Sequence, residues 1–173
     1  EQVFQLGPRD LGLRLIYDVC HNMAKMETHD VQGEKRHLCI HRKGATRAFP
    51  PGHPEIPSAY QRVGQPVLIP GDMGRCSFVL AGTERGYEET FGSACHGAGR
   101  VMSRHQAIKA AKGRAIAREL EDRGIIVRGA SKATLVEEMP DAYKDVNDVV
   151  NVVHGAGISK KVVRLKPIGV IKG

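Results

Sequence analysis

The chain has 173 residues, 41% hydrophobic and 26% charged. That is enough apolar content for one packed domain and too much for a disordered tail. Lys and Arg total 26 against 19 Asp and Glu, a formal net charge of +7, which favours an anionic partner such as nucleic acid, nucleotide or a membrane surface. No apolar run has the length of a membrane span or the form of a secretory leader. Cys20, Cys39, Cys76 and Cys95 form no CxxC pair and no short-scaffold disulfide spacing, so a cytoplasmic chain with reduced thiols is expected.

Residues 13–21 alternate as a strand, with Leu15, Tyr17, Val19 and His21 on one face. A turn over Asp30–Glu34 leads into a second strand at 35–42. Residues 44–66 carry Pro50, Pro51, Pro54, Pro57 and Pro66, which forbid regular structure and predict a long, functional loop. Short strands follow at 66–70 and 76–81, with a tight turn at Gly71–Gly74 between them, and then a glycine-rich loop at Gly92–Gly99. A helix rich in Ala, Lys and Arg spans 103–123 and stops at Gly124. Further strands are predicted at 125–128, 133–137 and 162–171. Asp145 caps a helix whose Val146, Val149, Val150 and Val153 share one face and which Gly155 and Gly157 end. The order lacks βαβ regularity and predicts an α+β fold, mixed sheets with flanking helices.

The segment around Cys95-His96-Gly97-Ala98-Gly99-Arg100 carries the most chemistry. Glycines let backbone N–H groups converge on an anion, and a following helix N-terminus adds partial positive charge. Arg100 and Arg104, four apart, would share a helix face. A neutral imidazole at the edge of such a phosphate site can attack phosphorus and form a phosphoramidate. The same glycines would equally serve backbone geometry alone, with His96 bonded to a carbonyl. His21 beside Asn22 offers one ligand to a borderline metal such as manganese or zinc, or is a core histidine satisfied by the backbone. The basic run His41–Arg47 can track a nucleic-acid backbone or be a solvated face. Pro70–Ser77 can embrace a base or ribose or simply connect a hairpin.

Taken together, YDVCHNMAK, HRKGATRAFPPGHP, GQPVLIPGDMG, ETFGSACHGAGRVMSR, AYKDV and LKPIGVIKG resemble the RtcB family of RNA ligases, in family order and over its C-terminal part. The resemblance implies an enzyme that joins RNA 3′-phosphate or 2′,3′-cyclic phosphate ends to 5′-hydroxyl ends, using GTP and Mn2+ through a histidine–GMP intermediate, in tRNA splicing and RNA repair. It implies that His96 is the nucleophile and His21 a manganese ligand. Asn22, Pro70, Gly71, Asp72, Met73, Ser77, Gly97, Ala98, Gly99, Tyr143 and Lys172 are implied around the nucleotide, with Lys43, Arg100 and Arg104 on RNA phosphates. The implied partners are broken RNA or tRNA halves, the N-terminal part of the ligase, which supplies the other manganese ligands, and an archease-type activator. The alternative is a non-catalytic nucleotide- or RNA-binding fragment without the metal-binding half. The compact apolar stretch from Ile168 to Gly173 is expected to dock.

Overall fold

The computed structural model describes residues 5–172. Its first ladder starts at Asn22: β1 (Asn22–Val31) and β2 (Glu34–Lys43) form an antiparallel hairpin. Gln32 and Gly33 turn it with φ of 58° and 85°, the left-handed pair that a two-residue hairpin turn requires. The turn lies where the sequence predicts it, but the strand before it does not. Residues 13–20 join no ladder. Side chains hold them instead: Tyr60 Oη donates to the Ile16 carbonyl, Gln65 Nε2 to Tyr17 Oη at 2.7 Å, and Thr46 Oγ1 to the Cys20 carbonyl at 3.0 Å. Leu15 is 80% exposed, so the apolar alternation there faces no core of these residues. β1 itself escapes pattern reading because its inward positions are Glu27 and His29, both buried.

The proline-rich stretch stays irregular as expected, apart from β3 (Ala45–Arg47) and a 3-10 turn at Ser58–Tyr60. β4 (Pro66–Ile69) and β5 (Ser77–Gly82) pair antiparallel. An unanticipated helix, α1 (Glu84–Thr90), follows, capped by Thr83 Oγ1, which accepts from the Gly86 N–H at 3.1 Å. β6 (Ser93–Cys95) lies inside the glycine-rich loop and pairs with β3.

The helix expected over 103–123 is two helices. α2 (Arg104–Ala110) opens on a Ser103/Gln106 capping box, and α3 (Ile116–Glu121) follows a break at Gly113, whose φ is 81°. Such a φ cannot continue a right-handed helix. Gly124, at φ 79°, ends the pair as expected. β7 (Ile126–Gly129) is formed, but the strand expected at 133–137 is α4 (Lys132–Glu137). A short apolar run fits either state; the Ser131 hydroxyl, accepting from the Thr134 N–H at 3.1 Å, caps a helix.

α5 (Val146–Gly155) starts at Asp145, whose carboxylate accepts from the Asn147 N–H at 2.8 Å, and buries Val146 and Val150. β8 (Ser159–Leu165) adds to the free edge of β5, and β9 (Gly169–Lys172) runs parallel to β7. The result is α+β: four small sheets, three antiparallel and one parallel, among the described residues.

Two apolar clusters form the core. One packs Ile69, Leu80, Val146 and Val150, the other Ala107, Leu120, Val127 and Met139. The loop from β4 to β5 spans the seam, since Cys76 belongs to the first cluster and Met73 to the second.

Candidate nucleotide site

Gly44 brings the two singled-out histidines together. Its N–H donates to the His21 carbonyl at 2.9 Å, and its carbonyl accepts the His96 N–H at 3.1 Å. With φ of 64° at Gly44, the chain turns from β2 into β3, and β3 carries β6 and hence His96 alongside. The His21 and His96 rings stack, centroids 4.6 Å apart and planes 23° from parallel. His96 Nδ1 is buried without a protein partner. Burial pushes the His96 ring below its ordinary pKa, and the nearby His21 adds to this; contact with the Leu68 backbone opposes it. The ring is therefore neutral near pH 7, the state in which imidazole is a nucleophile.

The glycine-rich loop adjoins a cleft. A Cβ added at Gly97 would lie 3.8 Å from the Pro70 carbonyl. From there a cleft of about 400 Å³ opens, lined by Pro70, Gly71, Asp72, Met73 and Ser77 on one side and by Leu165–Pro167 and Gly169–Lys172 on the other. The resemblance named residues on both walls, and they do converge.

Not every named side chain faces this space. Ala98 is committed to the core, and Met73 lines the cleft while packing in the second apolar cluster. Asp72 organises its own loop, accepting from the N–H groups of Gly74 at 2.8 Å and Arg75 at 2.9 Å and from the Arg75 guanidinium at 2.6 Å. Gly71 is required by close approach, because a Cβ there would sit 2.0 Å from the Cys76 carbonyl.

Arg100 and Arg104 do not share a helix face, since α2 begins at Arg104. Arg100 bridges to Tyr143 instead. Its Nε donates to the Met102 carbonyl at 3.0 Å and one terminal nitrogen to the Glu137 carbonyl at 2.6 Å. The other donates to Glu138 at 3.2 Å and to Tyr143 Oη at 2.9 Å. Arg104 is exposed, with Glu137 at 3.4 Å. Lys43 is exposed and pairs in register with Asn22, beside His21. Tyr143 and Lys172 meet at Glu138: Tyr143 Oη donates to its carboxylate, and Lys172 Nζ lies 3.5 Å away.

The description tRNA-splicing ligase RtcB belongs to the family model that matches residues 1–173. The chain belongs to the RtcB family. Proteins named tRNA-splicing ligase RtcB from Pyrococcus abyssi and Archaeoglobus fulgidus are 58% and 57% identical to it over all of its length, which covers 19% and 36% of theirs. The relative of the same name from Methanococcus maripaludis is 51% identical, again over the whole chain and 36% of its own length. The 173 residues thus span about a fifth to a third of these RtcB proteins.

No three His, Cys, Asp or Glu side chains gather into a metal site among the described residues. The described residues therefore do not by themselves make up a site for the manganese that the resemblance implies. None of the described helices is long and apolar enough to cross a membrane.

Two features of this RtcB segment escape sequence reasoning. Glu138 immediately follows a stretch, 133–137, that reads as strand but folds as the helix α4, and no periodicity marks it. Arg42, 2% exposed, forms a bidentate pair with Glu27 at 2.6 and 2.8 Å and also donates to the Phe91 carbonyl at 2.7 Å and to Ser93 Oγ at 2.9 Å. Inside HRKG, Arg42 reads as part of a basic run, but it is the buried brace that ties the β1–β2 hairpin to the strand leading into His96.

Proposed function

We propose that this chain is the nucleotide-carrying part of an RNA ligase that joins RNA 3′-phosphate ends to 5′-hydroxyl ends through a covalent His96–GMP intermediate. The observation that carries the reading is a neutral imidazole with an unpaired buried nitrogen, stacked on His21 and adjoining the cleft through Gly97. Pure binding needs no such nucleophile.

In the proposed cycle an imidazole nitrogen of His96 attacks the α-phosphorus of GTP. The P–N bond forms, the P–O bond to pyrophosphate breaks, and the ring proton passes to solvent. An oxygen of the RNA 3′-phosphate then takes the guanylyl group and frees His96; a 2′,3′-cyclic phosphate is first hydrolysed to that 3′-phosphate. The 5′-hydroxyl oxygen of the second end attacks the activated phosphorus, GMP leaves, and the hydroxyl proton is lost to solvent. The cleft between Pro70–Ser77 and β9 holds the base and ribose, with the Lys172 ammonium toward guanine O6 or N7. Lys43 and Arg104, both exposed cations, receive RNA phosphates.

Manganese belongs to the reading as a cofactor whose other ligands lie outside these 173 residues, and His21 contributes one donor. The remaining polypeptide, an archease-type activator and broken RNA or tRNA halves are the proposed partners, in tRNA splicing and RNA repair in the cytoplasm. That no three His, Cys, Asp or Glu side chains gather among the described residues favours a second reading for the segment in isolation, a non-catalytic nucleotide- or RNA-binding module. Peptide mapping after incubating the full-length polypeptide with GTP and Mn2+ separates the two. GMP on the peptide containing His96 is expected; covalent GMP elsewhere, or none, defeats the ligase reading.

A further inference from the structure

Glu138 is the carboxylate at which three separate stretches of chain meet. Arg100 arrives from the glycine-rich loop at 3.2 Å, Tyr143 from the turn before α5, and Lys172 from β9 at 3.5 Å. Burial alone would raise the Glu138 carboxyl, but the Tyr143 hydroxyl and the Lys172 and Arg100 charges outweigh it and hold the group below the usual carboxylate range. It is an anion between two cations, so the cluster keeps one net positive charge.

The two cations are not equally free. Arg100 has spent donors from all three of its nitrogens on Met102, Glu137, Glu138 and Tyr143, and its guanidinium lies 4.9 Å from the Tyr143 ring centre. Among the described residues the Lys172 ammonium makes one weak contact, to Glu138, and Lys172 lines the cleft. With side chains 36% and 21% exposed, the Lys172–Glu138 pair adds little to folding stability. Its effect is on where the ammonium sits, because lysine on a four-carbon stem otherwise samples many positions.

That position bears on which base the cleft accepts. Guanine presents two adjacent acceptors, O6 and N7, whereas adenine replaces O6 with an amino donor. An ammonium has donors and no acceptor, so held at that edge it favours guanine and meets adenine donor to donor. We propose that Glu138 is a positioning residue for nucleotide selectivity, braced by Arg100 and Tyr143, that fixes Lys172 at the base end of the cleft. The proposal rests on the ligase reading above and adds a selectivity determinant to it.

The test measures adduct formation from GTP and from ATP in the full-length polypeptide. Glu138→Gln is expected to lower the GTP:ATP ratio of kcat/KM by about ten-fold, a step of the size that one base-edge contact provides. The change should lie in the KM for GTP, with kcat within about two-fold of wild type. A purely structural role for Glu138 would weaken both nucleotides alike and leave the ratio unmoved. Tyr143→Phe, which removes only the hydroxyl that donates to Glu138 and accepts from Arg100, is a milder variant and should shift the ratio in the same direction. In a Lys172→Met background, Glu138→Gln should change the ratio no further. Wild-type selectivity persisting in both Glu138→Gln and Tyr143→Phe would overturn the positioning role while leaving the ligase reading intact. A wild-type protein that forms no adduct with either nucleotide would bring down the ligase reading itself, and this inference with it.

Discussion

His21 and His96 stack ring on ring at 4.6 Å, and the contact exists because one glycine, Gly44, hydrogen-bonds to both of their backbones. His96 lies outside both apolar clusters, so the fold does not depend on its ring. His96→Ala should therefore lose the covalent nucleotide altogether while keeping the wild-type far-UV spectrum. Intact mass after incubation with GTP and Mn2+ reads the first, circular dichroism the second. Covalent GMP persisting on the variant would move the nucleophile elsewhere.

Gly44 has open space where a Cβ would go but a φ of 64°. Gly44→Ala should cost about 1–2 kcal/mol, the penalty for a left-handed conformation at a residue with a side chain, measurable by urea denaturation. The same change should slow adduct formation by shifting His21 against His96. A stability loss with an unaltered adduct rate would show that the stacked arrangement tolerates movement.

Glu27 and Arg42 give the hairpin a defined acid response. Burial raises the Glu27 carboxyl, but its bonds to Arg42 and His29 pull it down further, and the net result is below the ordinary 4.5. A carboxyl depressed by folding contributes stability above its unfolded value, and that contribution is lost as pH falls through the folded value. Denaturation midpoints should thus drop as pH falls below about 4.5. Glu27→Gln should flatten that drop and cost about 3–5 kcal/mol at pH 7, because it leaves Arg42 buried without its counter-charge. Parallel pH slopes for wild type and variant would remove Glu27 from the acid response.

What the sequence discloses here depends on whether a residue's role is local. The helix from Asp145, the β4–β5 pair and the turn at residues 30–34 follow from caps, alternation and glycine, all visible over a few residues. β1 is hidden because its buried face is polar, Glu27 and His29, and the pattern that reads as a strand belongs to residues 13–21, which find no ladder partner. α4 turns on one hydroxyl, Ser131, in an apolar run of ambiguous period. The site divides the same way. His96 and the Pro70–Ser77 loop announce themselves by glycines, whereas Glu138 and Arg42 matter through partners brought from distant segments, which no local pattern encodes.

The three cations expected on RNA phosphates should separate in a salt titration. Lys43→Ala and Arg104→Ala remove exposed charges and should each lower the log–log salt slope of single-strand binding by about 0.7. Arg100→Ala should leave the slope closer to wild type and lose stability instead, because its donors are already taken inside the protein. Equal slope changes for all three would return Arg100 to the RNA path.

The isolated 173 residues should bind Mn2+ weakly and form no adduct, since no three His, Cys, Asp or Glu side chains gather among the described residues and manganese requires several hard or borderline donors together. Supplying the remainder of the polypeptide should restore both. Calorimetric metal titration and GTP labelling of the segment alone provide the check; stoichiometric adduct without any partner would show that the site is complete within it.

The cleft's two walls, Pro70–Ser77 and the stretch through β9, are brought together by pairings of long sequence separation, β5 with β8 and β7 with β9, while the β1–β2 hairpin closes on a two-residue turn. Loop-closure entropy grows with the length enclosed, so local contacts form early and distant ones late. A refolding chain would then acquire its exposed Lys43 ribbon well before it has anywhere to put a nucleotide, and a population arrested midway would meet RNA with the charges to hold it and no means of acting on it.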